Sequence, residues 1–259
     1  MPTGKRLFYA CIKGADISIY CTMKRKSTFI AYIACSLVAL LFCFAVAVCF
    51  QGLASPQTVA ATGHTTIVLD AGHGGMDGGV VGKATGVKES DLNLDIVFCI
   101  KDKLEDMGFE VVLTRKTQGG LYDSLAKGFK RQDMQRRKQV INEASPKLVL
   151  SIHQNYYPSS RLRGAQVFFD ENNGAGRALS SALQVRLNAL YEKEGVKGRT
   201  ESRADFFMLN CHSYPAALIE CGFLSSERDE KLLLSPAFRE NLSSAIAVGV
   251  VDYLSAFSA

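Results

Sequence analysis

Thr66-Ile-Val-Leu-Asp70-Ala-Gly-His73-Gly-Gly-Met-Asp77-Gly-Gly79 is the stretch on which the reading of the fold turns. An apolar, β-branched run meets an aspartate and then a loop with glycine at 72, 74, 75, 78 and 79. A short apolar run bounded by glycines reads as a buried strand, and the glycines let the chain turn sharply at its end. Nucleotide-binding folds open in the same way, but the spacing here excludes them. A phosphate-binding loop ending at Gly82-Lys83 needs glycine where Asp77 stands and Ser or Thr where Ala84 stands. The dinucleotide pattern begun by Gly72 and Gly74 likewise meets Asp77 at its third glycine. The glycines instead permit close backbone approach around His73.

Working outward, strands and helices alternate. Leu92, Ile96, Ile100 and Leu104 recur every four residues and predict a helix from about Ser90 to Met107, capped by Ser90 or Asp91 and ended by Gly108. Glu110–Thr114 reads as a strand, a basic helix comes next over about 124–144, and Lys147–His153 is the next strand. Gln166–Phe169 and Ala216–Glu220 are further strands, with a helix between them marked by Leu179, Leu183, Leu187 and Leu190. Pro236 opens a terminal helix at the first helical position, with Leu242, Ile246, Val250 and Leu254 facing inward. This order predicts a single α/β domain over 65–257, built on a mixed, mostly parallel central sheet with helices on both faces.

Ahead of it, no charged residue occurs between Lys26 and Asp70. Residues 1–27 read as a basic cytoplasmic tail, 28–51 as a transmembrane anchor or signal h-region, and 52–64 as a linker. About 20 apolar residues suffice to span a bilayer, and Lys24, Arg25 and Lys26 on one side only predict a cytoplasmic N-terminus with the domain outside. Small residues at Gly52-Leu53-Ala54 and Val59-Ala60-Ala61 leave cleavage open, in which case the domain is secreted. The apolar run is long for a signal peptide, which favours an uncleaved anchor; the true start is Met1 or Met23. Residues 1–63 hold six Lys and Arg against one Asp, and residues 64–259 hold 24 basic and 24 acidic, so the net charge of +5 belongs to the tail. Nucleic acid is therefore not an expected partner. The basic run Lys127–Lys138 reads as a solvated helix face. Cys99, Cys211 and Cys221 show no metal spacing and predict no disulfide framework, with Cys99 a small core residue.

The polar residues of interest collect at the carboxyl ends of strands, where open α/β sheets bind ligands. His73 comes after the first strand, His153 closes the third, Glu220 ends the fifth, and Glu89 stands just before the first helix. Two imidazoles and a carboxylate leave zinc a fourth, open position, the pattern of a catalytic site. A lone strand-end histidine is more often a hydrogen-bonded loop residue. Only four histidines exist, however, and two of them terminate apolar strands. His64 and His212 read as loop residues. Asp70, Asp77 and Asp95 are candidate partners for the histidines, with no choice among them, and Glu220 alternatively pairs with an arginine such as Arg115.

Four ordered blocks resemble the N-acetylmuramoyl-L-alanine amidases of the Amidase_3 type: Ile67–Gly79, Lys88–Leu94, Leu150–Asn155 and Pro215–Ser225. Gln154-Asn155 and Arg163–Phe169 look like the spore-cortex and germination branch. Ser226 stands where many relatives have Asn. The resemblance implies that His73, Glu89 and His153 hold one Zn²⁺, that Glu220 is the catalytic carboxylate, and that the substrate is the amide between N-acetylmuramic acid and L-alanine in peptidoglycan. Rival readings are a zinc carboxypeptidase or endopeptidase acting on the stem peptide, and a non-catalytic wall-binding protein. A need for a protein activator is left open.

Overall fold

A computed structural model describes residues 65–124, 127–159 and 161–256. The expected tail, anchor and linker, the choice of start, and His64 lie outside the described residues. Contacts divide the chain into Met1–Val59 and Ala60–Ala259, and the described residues all belong to the second unit. Among them no helix is long and apolar enough to cross a membrane.

The elements are β1 (Thr66–Ala71), α1 (Glu89–Asp106), β2 (Glu110–Leu113), α2 (Phe129–Ala144), β3 (Leu148–Asn155), β4 (Gln166–Phe169), α3 (Gly174–Glu192), β5 (Ser202–Arg203), α4 (Phe207–Asn210), β6 (Ala216–Phe223), α5 (Glu227–Leu234) and α6 (Pro236–Ala256). The strands form one six-stranded sheet in the order β2-β1-β3-β6-β4-β5. Every pairing is parallel except that of β4 with β6. The sheet is therefore mixed and mostly parallel, as expected. One of its strands, β5, has only two residues, too few for any alternation to reveal it.

Because side chains alternate across a strand, each strand feeds both faces. Ile67, Leu69, Leu148, Leu150, Ile152, Ala217 and Ile219 enter the larger core with the buried stripes of α1, α3 and α6. Val68, Val149, Ala216 and Leu218 enter a smaller core with Ile141 of α2 and Met208 and Leu209 of α4. The expected helix stripes are buried at Leu92, Ile96, Ile100 and Leu104, at Leu179, Leu183 and Leu187, and at Leu242, Ile246 and Val250. Leu190 and Leu254 sit at the margin of the core.

Four local expectations are corrected. Neither Ser90 nor Asp91 caps α1: its N-cap is Lys88 without a side-chain bond, and Glu89 already occupies the first turn. Cys99 is partly exposed, because it falls beside the stripe residue Ile100 rather than on it. Helix α2 starts at Phe129, after Gly128 in the left-handed region (φ 98°). Its basic run is not uniformly solvated either: Asp133, Arg137 and Ile141 form the buried i, i+4, i+8 stripe.

Arg137 is the reason. On the small-core face, Asp70 of β1 lies beside Ser151 of β3 in register. Its carboxylate accepts from Ser151 Oγ (2.6 Å), Thr114 Oγ1 (2.7 Å) and Arg137 Nη1 (2.6 Å). Arg137 also donates through Nε to Asp133 at 2.6 Å, and Asp70 and Arg137 are each 1% exposed. Burial alone would raise the Asp70 pKa, but Arg137 and the two hydroxyls outweigh it and bring it from 3.8 to about 2.

Since the folded carboxyl is the stronger acid, its stabilisation is present above the unfolded value and lost as pH falls from about 4 to about 2, an effect of about 2 kcal/mol. Asp70→Asn leaves Arg137 short of a counter-charge and is expected to cost roughly 3–5 kcal/mol at neutral pH. Denaturant unfolding of both proteins from pH 7 to pH 2 measures this. The stability gap should narrow in acid, whereas a gap independent of pH would contradict the assignment.

Candidate metal and active site

The site begins with the loop after β1. His73 has φ 61°, a left-handed conformation uncommon for any residue with a side chain. Two buried guanidiniums hold it there. Arg137 donates to Ala71 O (2.7 Å) and His73 O (2.6 Å). Arg115 donates to Ala71 O (2.8 Å), Gly72 O (3.1 Å), Thr117 O (2.9 Å) and Ser90 O (2.8 Å). The Arg115 partners are all carbonyls, so it is not the counter-ion of Glu220. Its burial, helped by the charge of Arg137, lowers its pKa to about 10.

Glu89 reaches the same place from the first turn of α1. Its Oε2 accepts from Val80 N at 2.9 Å, and its Oε1 accepts from Gln154 N at 3.1 Å and Asn93 Nδ2 at 3.3 Å. Asn93 also donates to Gly72 O at 3.1 Å, tying helix to loop. Asn93 and Gln154 fall inside the motif blocks, but the sequence reading gives neither of them a role at the site. The available signal for Asn93 is a polar residue one turn after Glu89, enclosed by Leu92 and Leu94, and it is 0% exposed.

His153 completes the cluster from β3. Its Nδ1 lies 3.0 Å from Glu89 Oε1, and His73 Nε2 lies 3.3 Å from the same oxygen. One ligand atom from each of His73, Glu89 and His153 falls within 4.8 Å of the others, so the cluster could hold a metal ion. Burial would raise the Glu89 pKa, but the two histidines overcome it and hold the carboxyl ionised. Burial would equally lower that of His73, and the carboxylates of Glu89 and Asp77 push it up instead.

Of the three candidate partners, Asp77 alone reaches a histidine, with Oδ2 3.2 Å from His73 Nδ1. Asp70 is committed to Arg137, and Asp95 is exposed on α1. His212 lies in the loop before β6.

Glu220 is paired in register with His153 on the neighbouring strand, so both side chains share a face. The register slips just beyond, where β6 runs one residue longer than β3 between the pairs His153↔Glu220 and Asn155↔Phe223. Glu220 Oε2 is shut off from solvent and has no hydrogen-bond partner among the described residues. Burial raises its pKa to about 7; His153 opposes the rise and Glu89 adds to it.

Two glycines are dictated by this packing. A Cβ on Gly72 would lie 2.3 Å from the His153 ring, and one on Gly79 would lie 2.4 Å from Glu89 Oε2. Beside the cluster a cavity of about 140 Å³ is lined by His73, Asp77, Tyr122, Phe129, Lys130 and His153, among others.

Comparison with known proteins agrees with this geometry. Residues 67–252 match the Amidase_3 family, described as N-acetylmuramoyl-L-alanine amidase. The chain is 30% identical over 234 residues to the germination-specific N-acetylmuramoyl-L-alanine amidase of Bacillus subtilis, covering 89% of this chain and 96% of that one. It is 33% identical to the CwlD amidase of Clostridioides difficile, solved in complex with the GerS lipoprotein, with a TM-score of 0.70 over 74% of this chain and 100% of that one. The catalytic domain of the amidase CwlV from Bacillus (Paenibacillus) polymyxa aligns at 26% identity with a TM-score of 0.65, over 74% and 98% of the two chains. The chain therefore belongs to the Amidase_3 family of N-acetylmuramoyl-L-alanine amidases, hydrolases that cut the amide joining N-acetylmuramic acid to L-alanine in peptidoglycan.

Proposed function

We propose that the amidase is zinc-dependent, with His73, Glu89 and His153 as the three protein ligands of one Zn²⁺ and Glu220 as the catalytic carboxyl group. The convergence of two imidazole nitrogens and one carboxylate oxygen within 4.8 Å carries the reading. The donor set suits zinc and leaves a coordination position open. The backbone also fits the purpose: a side chain at Gly72 would strike the His153 ring, and one at Gly79 would strike the Glu89 carboxylate and the His73 ring.

When bound, zinc supplies Lewis acidity that polarises a carbonyl and acidifies water at neutral pH. The remaining chemistry falls to the chain. Asp77, at His73 Nδ1, orients that imidazole and fixes its tautomer. Asn93 and the Val80 and Gln154 amides hold the Glu89 carboxylate in place. Glu220 Oε2 has no protein partner among the described residues, which leaves it available to take a proton from the attacking water. Its raised pKa, about 7, suits it to return that proton to the leaving L-alanine amine.

The B. subtilis relative, a germination-specific enzyme, supports placing this chain in the spore-cortex and germination branch. The apolar stretch 28–51 behind Lys24-Arg25-Lys26 supports an exported enzyme held at the membrane, where its substrate lies. The C. difficile relative was solved with a lipoprotein, which supports testing for a membrane-side protein partner.

His73→Ala and His153→Ala are each expected to lose zinc in elemental analysis of the purified protein, and full retention in either would contradict the ligand set. Glu220→Gln should keep its zinc while turnover on muropeptides drops about 10²–10⁴-fold; zinc loss would instead make Glu220 a ligand. Gly79→Ala forces a Cβ onto Glu89 at a position where φ is +67°, so zinc affinity should fall roughly 10–100-fold with the fold retained. Competition with a chelator reads that out, and unchanged affinity would count against a packing role for Gly79.

A further inference from the structure

Residues 64–259 carry equal numbers of basic and acidic residues, yet four of the cations gather in one place. Lys83, Arg161, Arg163 and Arg228 line a cavity of about 450 Å³, together with Ser226 and a single carboxylate, Glu227. Lys83, Arg161 and Arg228 are exposed and enter no ion pair among the described residues. Arg163 is fixed: its Nε donates to Asp229 Oδ1 at 2.9 Å and its Nη1 to Glu194 O at 3.3 Å. Asp229 is fully buried and also accepts from Gly164 N (2.7 Å) and Phe223 N (3.2 Å), so the floor of the cavity is rigid.

The walls come from the same three segments that carry the reactive cluster. Lys83 lies on the loop that joins His73 to Glu89. Arg161 and Arg163 lie on the connection after His153. Ser226, Glu227 and Arg228 come after Glu220, past the end of β6. Lys83 N donates to Leu224 O at 3.1 Å, and Glu230 accepts from Ala84 N and Thr85 N at 2.8 Å each, which ties the first wall to the third. The cavity thus sits on the carboxyl edge of the sheet, along which a substrate anchored at the cluster would extend.

We propose that Lys83, Arg161, Arg163 and Arg228 form an anion subsite for free carboxylates of the stem peptide, beyond the L-alanine whose amide is cut. The inference rests on the amidase reading and adds to it a preference among stems. Peptidoglycan stems carry free carboxylates beyond L-alanine, and guanidinium groups with an ammonium are suited to carboxylate oxygens. Exposed charges of this kind contribute modestly and are screened by salt.

The test compares a muramyl-peptide whose stem carboxylates are free with the same compound after their amidation, using the full zinc-loaded chain. Wild-type enzyme is expected to favour the free form about 5- to 20-fold, through KM and more strongly at low salt. Arg161→Gln/Arg228→Gln should bring that ratio close to one by raising KM for the free form. Both residues are exposed, so zinc content and melting temperature report whether the fold is intact. A variant that keeps the preference overturns the proposal, and so does one that loses equally on both substrates. Retained preference together with lost binding to isolated teichoic acid would assign the cavity to a phosphate polymer, which also overturns it. Wild-type turnover of the amidated compound scores the amidase reading separately.

Discussion

The site depends on one buried arrangement: the guanidiniums of Arg115 and Arg137 bound to the carbonyls of Ala71, Gly72 and His73. A strand-end loop has backbone acceptors that must be satisfied when it is buried. Here arginine satisfies them, and in doing so holds His73 at φ 61°. The charge this places inside the protein is offset by Asp70 and Asp133, the first contributed by the strand that launches the loop. Strand, loop and α2 thus form one unit. The site aspartate, Asp77, takes no part in that pairing and is shared between His73 and Lys130.

The same logic explains which features can be read from the chain alone. Apolar patterning locates α1, α3, α6 and five of the six strands, because burial leaves a pattern in the residue types, while α2 is legible only as a basic run. The two-residue strand β5 leaves none. His73, His153 and Glu220 are legible because polar residues at or near the ends of apolar strands need a reason to be there, although β3 and β6 run on to Asn155 and Phe223. Glu89, in the first turn of α1, is legible through the motif block that carries the resemblance. Arg137 is not, since a single buried arginine in a run of lysines and arginines looks like its solvated neighbours until the carbonyls it meets are known. Asn93 is hidden in a similar way, inside an apolar stripe. Periodicity puts Glu89 just ahead of its helix rather than in the first turn, the usual one- or two-residue uncertainty of helix ends.

Parallel strands bring His73, His153 and Glu220 to one edge, and the first turn of α1 returns Glu89 to it. The geometry separates the two carboxylates by environment. Glu89 is enclosed by donors and stays ionised, while Glu220 is buried with one oxygen lacking a donor and holds its proton more tightly. One is suited to bind a cation and the other to exchange a proton, although both are glutamates at the same edge.

The most direct measurement is X-ray absorption at the zinc edge on the zinc-loaded protein. The expected spectrum fits two imidazole nitrogens and one carboxylate oxygen, all at about 2.0–2.2 Å, with a further light ligand from solvent. A shell containing sulfur, or only one imidazole, would contradict the assignment of His73, Glu89 and His153.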